Sequence, residues 1–187
     1  PFNRSIVDEL RRLSGKIPHI YLLHGNRDFL LGAGFAAAAG VTLLPDPCLI
    51  DLCGRPTIVT HGDALCTDDV AYQQFRAMVR NPQWQAQFLA QPLPVRKAIA
   101  EDLRRKSEAS KQEKSAAIMD VNADAVSALF RQFPSAHDMI HGHTHRPACH
   151  QLQVDGRECR RWVLQDWYDG LSGGLQCNQF KRYLRPL

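Results

Sequence analysis

The sequence predicts an α/β layered domain interrupted by a helical insertion. Three observations predict it. Short apolar runs alternate with loops and helical segments over the first 63 residues. A middle stretch, about 69–112, carries helical spacing and few strand signals. Strand signals return at Asp138 and continue toward the end of the chain. That order of elements is the pattern of helices laid on a sheet.

Taken in order, Ser5 to Leu13 places apolar residues at helical spacing, and Gly15 and Pro18 end the helix. His19 to Leu23 is a short apolar run that enters the loop His24-Gly25-Asn26-Arg27-Asp28. Phe29 to Ala39 reads as a helix stopped by Gly40. Val41–Leu44, Cys48–Leu52 and Pro56–Thr60 read as three strands, the last running straight into His61-Gly62-Asp63. Pro82, Pro92 and Pro94 divide the middle stretch into helices over 69–80, 83–91 and 95–112. Asn122 to Phe133 is a further helix, with Asn122 as a candidate N-cap. Asp138–Ile140 is a strand leading into His141-Gly142-His143-Thr144-His145. Late strands are expected around Val154, at Arg161–Leu164 and within 175–184.

With 187 residues the chain is long enough for one domain with a real core. A hydrophobic share of 44% and a charged share of 22% are those of an ordinary globular protein. No apolar run reaches the length needed to cross a bilayer, and no signal peptide is recognisable after Pro1. A net charge of +4 fits an anionic ligand or an anionic membrane surface without requiring either. The six cysteines form no C-x-x-C pair, which argues against a structural zinc site and for reduced thiols of a cytosolic protein.

Three loops carry the chemistry: Gly25-Asn26-Arg27-Asp28, His61-Gly62-Asp63 and Gly142-His143-Thr144-His145. Each follows a predicted strand, where α/β sheets collect their binding sites. Together they offer one amide and three imidazoles, donors that suit divalent ions such as manganese, iron, zinc or magnesium. Such ions, in pairs, serve phosphate ester and anhydride hydrolysis. In an extended loop His143 and His145, two apart, would point the same way and could serve adjacent ions. Each signal alone has an ordinary explanation. Asn in a Gly-Asn pair is commonly a turn residue, and a lone His-Gly carries little weight. The coincidence of all three at strand ends is what argues for a site. His24 and His141 precede two of the glycines and, by strand alternation, are expected to be structural.

These loops resemble the later motifs of the calcineurin-like metallophosphoesterases. A closer resemblance, from about residue 15 to about 170, is to the UDP-2,3-diacylglucosamine pyrophosphohydrolases. It is carried by HGNRDFLLG at 24–32, TLLPD at 42–46, HGDALCTDD at 61–69, YQQFR at 72–76, VRK at 95–97, AIMDVN at 117–122 and IHGHTHRP at 140–147. After Gln165 the likeness weakens. The resemblance implies a layered metallophosphoesterase sandwich, incomplete at its N-terminus, with a helical cap. Its core would occupy 1–68 and 117–187, and the cap 69–116. It implies hydrolysis of UDP-2,3-diacylglucosamine to 2,3-diacylglucosamine 1-phosphate and UMP in lipid A biosynthesis. The work would be done peripherally at the cytoplasmic face of a bacterial inner membrane.

By the same resemblance Asn26, His61 and His143 would bind one manganese ion and His145 a second. Asn26 and His143 would be the catalytic pair and would meet the substrate, with Arg27 at its phosphate. Asp69 would contact the sugar, and Ser107, Lys111 and Lys114 the head group. Residue spacing agrees for the last two: Lys111 and Lys114, three apart, share a helical face. The stripe Leu93, Val95, Ile99 and Leu103, flanked by basic residues, could cover acyl chains, rest on a membrane or pack on the core.

Two readings compete. One is a metallophosphoesterase acting on another phosphoester, and the other a noncatalytic anion- or membrane-binding remnant. Nucleic acid is not the expected partner, because Trp84, Trp162 and Trp167 are scattered rather than set along a basic groove. The family's early D-x-H motif does not occur in the chain, and no Gly-Asp stands before residue 62; Asp8 lacks a suitable histidine after it. Two dications held with few anionic ligands repel each other, so at most one weakly held ion and little activity are expected of this chain. Metal analysis of the purified chain, beside a version carrying both missing motifs, checks this. Two tightly held ions in the chain alone would overturn it.

Overall fold

The computed structural model describes residues 2–113, 118, 120–167, 173–178 and 182–186. Positions between these ranges, Lys114 among them, lie outside the described residues. The fold is mixed α/β, with six α-helices among the described residues. The chain divides into two compact units, one formed by Pro1–Asp63 with Ala123–Leu187 and the other by Ala64–Asn122.

The first unit opens with α1 (Phe2–Ser14), β1 (Tyr21–Leu23), α2 (Ala33–Ala39) and β2 (Thr42–Leu44). β1 and β2 pair in parallel, Tyr21 opposite Thr42. α1 packs on α2, and Arg11 Nη1 donates to the Ala37 carbonyl at 3.0 Å. α2 starts four residues later than its apolar run suggests. The reason lies in the preceding loop, where the Leu31 amide turns back to the Asp28 carbonyl and Gly32 takes an extended conformation before the first helical turn.

The principal sheet has five strands: β3 (Cys48–Asp51), β4 (Pro56–Thr60), β5 (Asp138–His141), β6 (Ala148–Val154) and β7 (Arg157–Val163). Their order is β3-β4-β5-β7-β6. β4, β5 and β7 run parallel to one another, and antiparallel β3 and β6 close the two sides. All four residues of β5 are buried, as befits a central parallel strand covered on both faces. Its polar end residue Asp138 is satisfied: the Trp162 Nε1–H donates to Oδ1 at 2.9 Å and Arg160 Nη2 to Oδ2 at 3.1 Å. β8 (Gly173–Cys177) and β9 (Arg182–Pro186) form a separate antiparallel pair.

Sequence reading anticipates β6 only at Val154. Its polar residues Gln151 and Gln153 are exposed, so only Leu152 and Val154 carry an apolar signal. The unread signal was Asp155-Gly156. Both residues take positive φ, 51° and 78°, as a two-residue hairpin turn between right-twisted strands requires.

α6 (Ala123–Gln132) buries Val126, Leu129 and Phe130, one stripe at helical spacing. With Ile58, Met139, Ile140, Val154, Trp162 and Val163 they make the core of this unit. The second unit contains α3 (Val70–Arg80), α4 (Pro82–Ala90) and α5 (Leu93–Glu113), close to the helices the three prolines predict. Asn81 caps α4 through Oδ1, which accepts from the Gln83 and Trp84 amides. All six cysteines are free thiols. Burial first, and the Asp46 carboxylate second, push the Cys48 thiol above its ordinary range, which keeps it protonated and inert.

Phe130→Ala should cost about 3–5 kcal/mol, because Phe130 is fully buried and the ring's removal leaves a cavity. Leu49→Ala, at an exposed position, should fall within about 0.5 kcal/mol of the parent. Urea unfolding of both variants checks the contrast.

Candidate active site

The site grows from the carboxyl ends of β4 and β5. These strands are parallel, with Thr60 opposite His141, so the loops that follow them leave the sheet side by side. The Gly142 amide donates to the His61 carbonyl at 3.1 Å and ties the two loops together.

His61 is fixed from behind. Asp46 Oδ1 accepts from Thr60 Oγ1 at 2.6 Å and from the His61 amide at 3.2 Å. On the ring, His61 Nδ1 lies 3.1 Å from Oδ1 of the fully buried Asp63. Nε2 is left on the other side of the ring.

That Nε2 side faces the third loop. A Cβ at Gly25 would stand 3.1 Å from His61 Nε2, so the backbone of the Asn26 loop passes directly beside the ring. The loop is held by its own polar groups. The Gly25 amide donates to Asp28 Oδ1 at 2.5 Å, and His24 Nε2 donates to the Leu31 carbonyl at 2.6 Å. His24 is thus structural, as strand alternation predicts, and half-buried Asn26 and exposed Arg27 stand at the turn between these anchors.

His143 completes the group. Its ring meets the His61 ring edge to face, with centroids 4.9 Å apart and planes at 62°. The expectation of an extended H-x-H loop is corrected here. His143 and His145 have φ of 65° and 53°, and the Thr144 amide bonds back to the Gly142 carbonyl at 2.8 Å. The chain coils through left-handed geometry instead of running out straight, a conformation that costs a non-glycine residue about 1–3 kcal/mol and tends to mark functional sites. The two rings therefore meet different partners. His143 meets His61, whereas His145 Nδ1 lies 3.1 Å from Asp166 Oδ2.

Asn26, His61 and His143 thus belong to one neighbourhood, and His145 stands on the same loop with its own carboxylate. Sequence reasoning missed Asp46, Asp63 and Asp166. Asp63 and Asp46 lay within quoted motifs, and their signal was position next to a strand end. Asp166 had no signal, because it comes to His145 only through the fold.

Among the described residues no group of three or more His, Cys, Asp or Glu side chains is arranged to hold a metal ion. The candidate set differs from such a group in kind: two imidazoles at contact distance with an amide loop beside them. That donor chemistry fits one borderline divalent ion. Thr144 Oγ1, a buried atom in the same loop with no hydrogen-bond partner among the described residues, is the kind of group a bound species satisfies.

In the second unit Asp69 is buried and caps α3, its Oδ1 accepting from the Tyr72 amide at 3.0 Å. Ser107 is exposed on α5, and Lys111 lies on the same helix. Leu93 and Val95 are exposed at the start of α5. Farther along, Asp102 pairs with Arg105 and Lys106.

The fold and these loops define a mixed α/β protein whose histidines converge at the carboxyl ends of adjacent parallel strands. No protein-family model matches the chain. It is 54% identical over 167 residues to the UDP-2,3-diacylglucosamine hydrolase of Bordetella pertussis, covering 89% of this chain and 64% of that protein. It is 52% identical over 171 residues to the protein of the same name from Aromatoleum aromaticum, and 49% identical over 176 residues to that of Stenotrophomonas maltophilia. These matches cover 90% of this chain each, and 69% and 71% of the relatives. The chain belongs to the UDP-2,3-diacylglucosamine hydrolase family. It spans less than two thirds of the length of the Bordetella relative.

Asp63→Ala and Asp166→Ala each remove the carboxylate that stands beside a histidine Nδ1. Each should lower divalent-ion affinity or turnover about 10- to 100-fold, the usual effect of losing a group that orients a ligand. Both variants should keep the far-ultraviolet circular dichroism of the parent; unchanged affinity and turnover would remove the orienting role.

Proposed function

We propose that the protein carrying this chain hydrolyses the pyrophosphate bond of UDP-2,3-diacylglucosamine, releasing 2,3-diacylglucosamine 1-phosphate and UMP in lipid A biosynthesis. Identity of about one half over nine tenths of the chain to relatives of that name supports the substrate. The single observation that carries the chemistry is the meeting of His61 and His143 beside the Asn26 loop, with His61 Nδ1 turned to Asp63.

In this reading Asn26, His61 and His143 hold one divalent ion and His145 holds a second, both manganese in the complete site. Bound there, the ions supply Lewis-acid stabilisation of phosphoryl charge and activation of water. The chain's own residues set the geometry. Asp63 Oδ1 stands 3.1 Å from His61 Nδ1, and Asp166 Oδ2 stands 3.1 Å from His145 Nδ1. Arg27, exposed beside Asn26, offers a forked donor to a phosphate oxygen. Asp69, Ser107, Lys111 and Lys114, of the helical insertion, would serve the sugar and head group of the substrate. Exposed Leu93 and Val95, with the basic residues of α5, suit peripheral contact with the cytoplasmic face of the inner membrane. No described helix is long and apolar enough to cross a membrane.

A noncatalytic anion- or membrane-binding role is the second reading, favoured by the same basic helix. Phosphorus NMR of UDP-2,3-diacylglucosamine turnover by the full-length protein separates the two. His61→Ala and His143→Ala should each lower the rate about 100-fold or more, several kcal/mol of lost charge stabilisation. Chelator should abolish turnover. Ligand binding that survives chelation and weakens with salt, without turnover, would establish the second reading instead.

A further inference from the structure

His141 is a buried titratable group that the proposed chemistry leaves unused. It ends β5, is 1% exposed, and its ring is engaged on both nitrogens and on one face. Arg161 Nη1 lies 2.8 Å from Nε2. A guanidinium can only donate, so Nε2 accepts and the ring proton is on Nδ1. Nδ1–H in turn donates to the Gly142 carbonyl at 2.8 Å.

That carbonyl has a second donor, the Thr144 amide, also at 2.8 Å. Two donors on one oxygen fix the plane of the peptide between Gly142 and His143. The orientation of that peptide helps set the left-handed φ of 65° at His143. The ring also supports the other loop. A Cβ at Gly62 would stand 2.7 Å from His141 Nδ1 and 3.2 Å from its Cβ and Cγ, so the Gly62 backbone lies directly against the imidazole. Gly62 separates His61 from Asp63, whose side chains pair around it. Its φ of 100° and this contact both call for glycine.

We infer that His141, with its tautomer set by Arg161, is a positioning residue that fixes the relative placement of His61 and His143. The bond from the Gly142 amide to the His61 carbonyl ties the loops at one point. The imidazole adds a second, out-of-line support, which is what a defined angle between the two rings requires. The inference rests on the reading of His61 and His143 as a working pair, but its test does not depend on metal.

The test uses three variants, two readouts and the full-length protein. Long-range proton–nitrogen NMR of the histidine rings, without added metal, reports tautomer and environment. Manganese titration followed by electron paramagnetic resonance reports affinity. Arg161→Met keeps the imidazole and removes the donor that fixes its tautomer. It should give mixed tautomers at His141, shifted or broadened His61 and His143 signals, and manganese affinity about tenfold or more weaker. His141→Asn retains an amide donor near the position of Nδ1 and should restore most of both readouts. His141→Gln places its amide near Nε2 and should not.

Folded Arg161→Met and His141→Gln proteins with parental His61 and His143 signals would overturn the inference. A parent protein that takes up no manganese would defeat the metal reading, and the NMR comparison would still decide the positioning role. Should His141→Gln fail to fold, Arg161→Met decides the matter, since it leaves the ring in place.

Discussion

Parallel pairing of β4 with β5 is the constraint on which the site depends. Parallel strands carry their loops away from the same edge, so Thr60 opposite His141 means that His61 and Gly142 begin side by side. An antiparallel pairing of the same residues would send one histidine loop to the far end of the sheet. The pairing is stable because β5 is buried along its whole length and β7 continues the parallel run on its other side. Hydrophobic burial of Ile58, Met139, Ile140 and Val163 thus supplies the rigidity that polar loops cannot supply for themselves.

Around this edge the polar groups work in pairs, and each carboxylate is assigned to a neighbour. Asp46 holds the backbone entering His61, Asp63 stands beside its ring, and Asp28 holds the turn that carries Asn26. A carboxylate buried without such a neighbour would be costly. The result is a corner where carboxylates line the loops that carry the histidines.

Much of this was legible in the residues. Strand-loop-strand order placed Asn26, His61 and His143 at strand ends, and the structure brings those three loops together. Proline spacing marked the helices of the second unit nearly to the residue. What was not legible had physical causes. The H-x-H rings diverge because left-handed positions at His143 and His145, on either side of Thr144, override the two-residue alternation of an extended chain. Asp166 reaches His145 through tertiary placement, which no local pattern records. β6 hid behind exposed glutamines, since a strand with one wet face and a polar edge looks like a loop.

The left-handed residues beyond β4 and β5 have one more effect. Gly62, His143 and His145 each carry a backbone twist of the wrong hand for a β-ladder. The sheet therefore cannot lengthen past Thr60 and His141 by zipping up its own loops. A slip of one residue would turn every core side chain of a strand toward the opposite face. The corner that gathers the histidines is thus also an end-stop for the sheet, holding the strands in register.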